Sequence, residues 1–162
     1  MSTFKNALVS VSNKSGLVDF LRPLIKGGLR VVSTGGTLQH LRENGIHAVD
    51  VSEQTGFPEV MDGRVKSLHP RVYVPLLSRV GNVADDALLD QENLRPFDLI
   101  IVNLYPFQDA RNRGLSGDEL IEYIDIGGPT MLRAAAKNHN DVLVVVDPAG
   151  YGDMLERVRT NT

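Results

Sequence analysis

The chain has 162 residues, 42% of them hydrophobic and 23% charged, with a net charge of −3 and no cysteine. That is the size and make-up of one globular domain spanning residues 1–162, and it excludes disordered, collagen-like and disulfide-stapled classes. The lack of a basic excess speaks against a nucleic-acid footprint; without thiols there is no thiolate metal site; no apolar run reaches membrane-spanning length, so a cytoplasmic protein that binds neither nucleic acid nor membrane is expected.

Ala7–Val11 reads as a first strand. Apolar residues at Leu17, Val18, Phe20, Leu21, Leu24 and Ile25 then give helical spacing over Gly16–Gly28, with Pro23 a kink or a delayed start. Arg30–Ser33 predicts a second strand, Leu38–Glu43 a short helix stopped by Asn44 and Gly45, and His47–Val51 a third strand. Ser52–Arg79 is rich in Gly and Pro and weak in periodicity, which predicts a long functional loop. Val83–Asn93 suits a surface helix, Phe97–Asn103 an apolar strand, and Leu104 to Phe107 the loop leaving it. Ser116 as N-cap with Glu119 at the capping-box position predicts a helix to about Tyr123. Gly127 and Gly128 predict a turn, Pro129 a first helical position and Lys137 the end of that helix. Asp141–Val146 is a Val/Leu strand and Pro148–Arg159 a last helix. Apolar strands alternating with helices predict a three-layer α/β/α sandwich around a mainly parallel sheet, with ligands beyond the carboxyl ends of the strands.

Two loops at that end carry phosphate-binding parts. Ser10, Ser12, Asn13, Lys14, Ser15 and Gly16 follow the first strand, and Ser33, Thr34, Gly35, Gly36 and Thr37 follow the second. Each combines hydroxyl donors with glycine at a helix start, and each taken singly could do no more than cap its helix. Neither matches a P-loop or a dinucleotide fingerprint, so the pair points to one small phosphate monoester. Arg64 and Lys66 alternate, so in an extended segment they face one side and can meet one ligand. Asp125 and Lys137 put a carboxylate and an ammonium at the two ends of one loop-and-helix segment, which serves equally as a site or as a surface pair.

With the long segment included, the sequence resembles the IMP cyclohydrolase domain, the N-terminal half of the bifunctional AICAR transformylase/IMP cyclohydrolase, whose fold is methylglyoxal-synthase-like. The motifs are Ser10–Gly16, Ser33–Thr37, Thr55–Glu59, Gly63–Pro70, Asn103–Phe107, Ile124–Gly128 and Ala134–His139, and they cover nearly the whole chain. The resemblance implies dehydrative ring closure of 5-formamidoimidazole-4-carboxamide ribotide (FAICAR) to IMP, the last step of purine biosynthesis, without a cofactor or metal. It implies that Ser10, Ser12, Asn13, Lys14, Thr34, Gly35, Gly36, Thr37 and Ser67 surround the phosphate and ribose with Arg64 nearby, and that Ile126, Gly127 and Gly128 also touch the substrate. Lys66 and Tyr105, helped by Asn103, would orient the formyl group and assist the oxyanion, while Asp125 and Lys137 would move protons. His69 before Pro70 reads as a residue that bonds backbone. Tyr73, Val74 and Pro75 stand where the family has a small, flexible run, a change expected to alter a loop near the site. A homodimer, and a transformylase domain either fused or separate, are further expectations from the resemblance. Two other readings remain: a methylglyoxal synthase-type lyase, and a regulatory domain that binds a nucleotide without turnover.

Overall fold

The computed structural model describes residues 4–160. Strands β1 (Asn6–Val11), β2 (Arg30–Ser33), β3 (Val49–Asp50), β4 (Leu99–Asn103) and β5 (Leu143–Val145) form one sheet in the order β3-β2-β1-β4-β5, with every neighbouring pair parallel. The central strand is β1, where Leu8 pairs with Val32 on one side and Ile100 on the other.

Side-chain alternation along these strands builds two cores. Ala7, Val9 and Val11 of β1 and Leu99 and Ile101 of β4 face a cluster with Leu17, Phe20, Leu21 and Leu24 of α1 (Leu17–Lys26), Leu38 and Leu41 of α2 (Gly35–Glu43), and Tyr151 and Met154 of α9 (Tyr151–Thr160). Leu8, Val32, Ile100 and Val102 face the opposite way, against Val51 of α3 (Val51–Thr55), Val72 and Leu76 of α4 (Pro70–Leu77) and Met131, Ala134 and Ala135 of α8 (Gly127–Lys137). The largely apolar strands are thus explained by burial on both faces, and the expected three-layer sandwich is the observed one. Each fully buried Leu or Phe contributes about 1.5–3 kcal/mol through the area it removes from water. Phe20 and Tyr151 add a stacked pair with centroids 4.3 Å apart.

The segment Ser52–Arg79 differs from the expected loop. It holds α3, an antiparallel bridge between Val60 and Val65, and α4. The first helix is too short to show a period, but its start is fixed by a capping box: Asp50 accepts the Ser52 N–H at 2.8 Å, and Glu53 accepts the Asp50 N–H at 3.2 Å. Within α4, Pro75 has no N–H to give the carbonyl of Arg71 one turn back. Gln54 of α3 fills that place, its Nε2 donating to the Arg71 carbonyl at 2.9 Å, and Arg71 returns a bond from Nε to the Gln54 carbonyl at 2.8 Å. Tyr73, Val74 and Pro75 are therefore residues of a helix that packs against α8, a correction to the loop expected there.

Smaller differences have equally local causes. The third strand keeps two residues because Val51 already belongs to α3. The helix from Ser116 shrinks to α7 (Gly117–Ile121), and the Ser116 hydroxyl makes no cap bond. An unexpected short helix, α6 (Phe107–Asn112), precedes it, and α5 (Val83–Gln91) lies where expected. The last helix is preceded by a 3₁₀ turn over Pro148–Gly150, capped by Asp147. Among the described residues no helix is long and apolar enough to cross a membrane.

Candidate functional site

From β1 the chain passes to β2 on one side, while β4 lies on the other, so a crevice opens where strand order changes direction. A cavity of about 480 Å³ occupies it, a volume suited to a small ligand. Its walls are the loops after β1, β2 and β4, the segment from Asp62 to Leu68, and the chain from Ile121 to Met131.

One end is built for an anion. Thr34 is the N-cap of α2 in extended conformation, and its side chain makes no cap bond. The first helical bond runs from the Leu38 N–H to the Thr34 carbonyl, so the N–H groups of Gly35, Gly36 and Thr37 have no bonded partner among the described residues. Two ammonium groups flank them. A Cβ built on Gly35 would lie 3.0 Å from Nζ of Lys66, and one built on Gly36 would lie 4.0 Å from Nζ of Lys14. Gly35 also has φ +54°, so both backbone shape and the approach of Lys66 call for glycine there. Ser10, Ser12, buried Thr34 and buried Ser67 complete this wall.

Asp125, Tyr105 and Ile126 also line the cavity. Oδ1 of Asp125 accepts the Gly128 N–H at 2.8 Å in the first turn of α8. That bond leaves Oδ2 free for other work. It also distinguishes the two helix starts: a carboxylate already occupies that of α8, whereas that of α2 is open to an anion. Gly128 leaves room for two side-chain ends: a Cβ there would meet Oδ2 of Asp125 and Cδ2 of Leu104, both at 2.6 Å, and would make them shift. Across the mouth, the Arg64 guanidinium pairs with the Glu122 carboxylate and holds that carboxyl below its usual range.

Other expected residues serve the frame as well, two of them, Thr37 and Asn103, from the cavity wall. The Asn103 amide grips the backbone of Asn13, accepting its N–H at 2.8 Å and donating to its carbonyl at 3.0 Å, so it fixes the β1–α1 loop. The Asn13 side chain accepts the Ser15 N–H at 3.0 Å and is not part of the cavity wall. Oγ1 of Thr37 accepts the Val11 N–H and donates to the Val11 carbonyl, both at 3.0 Å, closing the end of β1. His69 caps α4, its Nδ1 accepting the Arg71 N–H at 3.1 Å. Lys66, expected beside a reacting carbonyl, has its charge at the anion end.

Lys137 requires a correction. It lies at the far end of α8, roughly 15 Å along the axis from Gly127 at about 1.5 Å per residue. It is exposed and borders grooves with Tyr73 and Leu77 of α4, not the cavity. The glycine turn does not fold Asp125 back along the helix, because α8 begins at Gly127 itself; within one chain the two are not a proton-transfer pair.

A family profile described as MGS-like domain matches residues 16–130, well over half of the chain. The chain belongs to the MGS-like domain family. It is 49% identical over 158 residues to the bifunctional purine biosynthesis protein PurH of Bacillus subtilis, and 50% identical over 159 residues to PurH of Rhodopirellula baltica. These alignments take in 97% and 96% of this chain but 31% and 30% of the relatives, so the chain spans less than a third of their length. A crystal structure titled ForH superposes with a TM-score of 0.80 at 31% identity, covering 97% of this chain and 79% of that one. The family and fold expected from the motifs are the ones found.

Several cavity residues lay outside every motif: Asp62, Ile121, Glu122 and Met131. Glu122 is instructive, since its partner Arg64 is 58 residues away and no local pattern joins them. Ile124 had a weak signal, lying with Ile126 on either side of Asp125.

Proposed function

We propose that the chain is an IMP cyclohydrolase domain that closes FAICAR to IMP with loss of water. The observation that carries this is the open N-terminus of α2 flanked by Lys14 and Lys66 in a nucleotide-sized cavity whose wall also carries Asp125 and Tyr105. The relatives' name places them in purine biosynthesis with two activities; we assign one to this chain and the other to the length it does not span.

Ring closure joins the carboxamide nitrogen to the formyl carbon. The formyl oxygen leaves as water, taking one proton from the carboxamide nitrogen and one from the formamido nitrogen. The nucleophile is poor, so the site must hold nitrogen and carbon in contact, remove a proton and stabilise charge on oxygen. The phosphate sits on the α2 N–H groups, with Lys14, Lys66, Ser12 and Thr34 around it. The base then projects toward the start of α8. There Oδ2 of Asp125, whose Oδ1 is anchored by the Gly128 N–H, accepts the carboxamide proton. Tyr105, half-exposed on the cavity wall, donates its hydroxyl to the formyl oxygen as charge develops. Nucleophile and electrophile already share one molecule, so anchoring the substrate contributes only by freezing the rotation of the formyl group towards the amide, a small part of what orientation supplies when two separate reactants are joined.

The test is a cyclisation assay with FAICAR on wild type and Asp125→Asn, beside calorimetric binding of IMP. Wild type is expected to turn over well above the spontaneous rate. Asp125→Asn is expected to lose about 10²–10⁴ in kcat while binding IMP within a few-fold of wild type. Tight IMP binding with no turnover by wild type would make the chain a nucleotide-binding regulatory domain instead.

A further inference from the structure

We propose that Glu122 gates the cavity: it occupies Arg64 when the site is empty, and an anionic ligand must displace it to engage that guanidinium. This rests on the reading of the cavity as an anion site.

The mouth of the cavity lies between two arms. One is the hairpin around the Val60–Val65 bridge, whose tip carries Met61, Asp62 and Gly63 at φ 56°, 54° and 86°. Its backbone bonds are all internal: Val60 with Val65 in both directions, Gly63 N–H to the Val60 carbonyl, and Arg64 N–H to the Met61 carbonyl. The tip is not held by packing either, with Met61 71% exposed. The other arm is α7 and the turn after it. No residue of α7 is buried, and the bonds of Glu122, Tyr123 and Ile124 through their N–H groups run back into α7 itself.

One connection joins the arms. The Arg64 guanidinium forks onto Glu122, Nη2 to Oε1 and Nε to Oε2, and among the described residues no other hydrogen bond or ion pair links residues 57–66 to residues 104–126. Both side chains are more than half exposed, at 59% and 55%, so the pair is solvated and screened, a weak tie that thermal motion opens. Both also line the cavity. A phosphate-bearing ligand brings two negative charges into a space where Arg64 is already neutralised by a carboxylate. Exchange of Glu122 for the ligand conserves the cation's partner and frees the α7 arm. Glu122 therefore lowers affinity for anions and makes closure of the mouth conditional on what the cavity contains.

Calorimetric titration with IMP, on the intact chain at fixed ionic strength, tests this. Glu122→Gln keeps shape and removes the charge, and is expected to bind IMP about two- to fivefold more tightly, the span set by breaking one exposed ion pair. In an Arg64→Ala background the same change is expected to have no effect, because the guanidinium through which Glu122 acts is gone. Glu119→Gln, an exposed carboxylate on α7 away from the cavity, serves as the charge control and should match wild type. Amide exchange at residues 62–64 of the ligand-free protein should be faster in Glu122→Gln. The gate is overturned if Glu122→Gln binds no tighter than wild type, or tightens equally without Arg64, which would make Glu122 a diffuse charge. A wild type that binds no IMP removes the anion site and the gate with it, whereas binding without the Glu122 effect removes the gate alone.

Discussion

Replacing Gly128 by alanine tests the junction between Asp125 and α8 with a single methyl group. The backbone there is ordinary helix, so alanine meets no conformational penalty and gains about 1 kcal/mol in helix propensity. The methyl group, however, would lie 2.6 Å from both Oδ2 of Asp125 and Cδ2 of Leu104, roughly 0.8 Å inside ordinary contact. The carboxylate must swing away, and its 2.8 Å bond from the Gly128 N–H is strained or lost. A hydrogen bond to a charged group is worth about 1.5–3 kcal/mol, and overpacking adds about 1–3 kcal/mol. Set against the propensity gain, a net loss of about 1.5–5 kcal/mol is expected, or roughly 3–20 °C in Tm at about 2–4 °C per kcal/mol. The displacement should matter more for chemistry, since about 1 Å of misplacement costs on the order of 10² in rate. Thermal melting and FAICAR cyclisation, measured together, separate these effects: IMP binding through the start of α2, Lys14 and Lys66 should survive while kcat falls. Wild-type Tm with wild-type kcat would refute both the contact and the role given to Asp125.

Three further outcomes follow from the same geometry. Lys14→Ala should weaken IMP binding about tenfold, whereas Lys137→Ala, outside the cavity, should leave it within about twofold by calorimetry. Gln54→Ala removes the donor that replaces the missing N–H of Pro75, and should cost about 1 kcal/mol in urea unfolding with no change in IMP affinity. Tyr151 carries a buried hydroxyl without a partner among the described residues, and burial, with Asp147 nearby, pushes its pKa up to about 12. The folded state thus keeps this proton where the unfolded chain releases it, so its contribution is complete below about pH 10 and is lost as pH rises from about 10 through 12. Tyr151→Phe should be neutral or mildly stabilising at pH 7 and should flatten the loss of stability between about pH 10 and 12, followed by melting across that range.

Sequence carried the layers of this fold because its strands are buried on both faces, and such strands read as unbroken apolar runs. It carried the phosphate loops because glycine and hydroxyl residues at a strand-to-helix junction have a local purpose. What it did not carry depends on partners distant along the chain. Pro75 reads as a helix breaker until Gln54 is seen on the orphaned carbonyl, and nothing local shows that the Asn103 amide, at the cavity wall, also holds the backbone of Asn13. Glu122 has no pattern at all, since its meaning comes from Arg64. Asp125 and Lys137 show the complementary error. Their motif gives two charges of the right kind, but whether charges at the ends of one segment converge depends on where the helix begins. Two residues of turn before Pro129 would have allowed Asp125 to fold back; the same two residues as the first turn of α8 send it into the cavity and leave Lys137 on the surface. The reaction chemistry proposed here therefore uses one of those two charges within the chain.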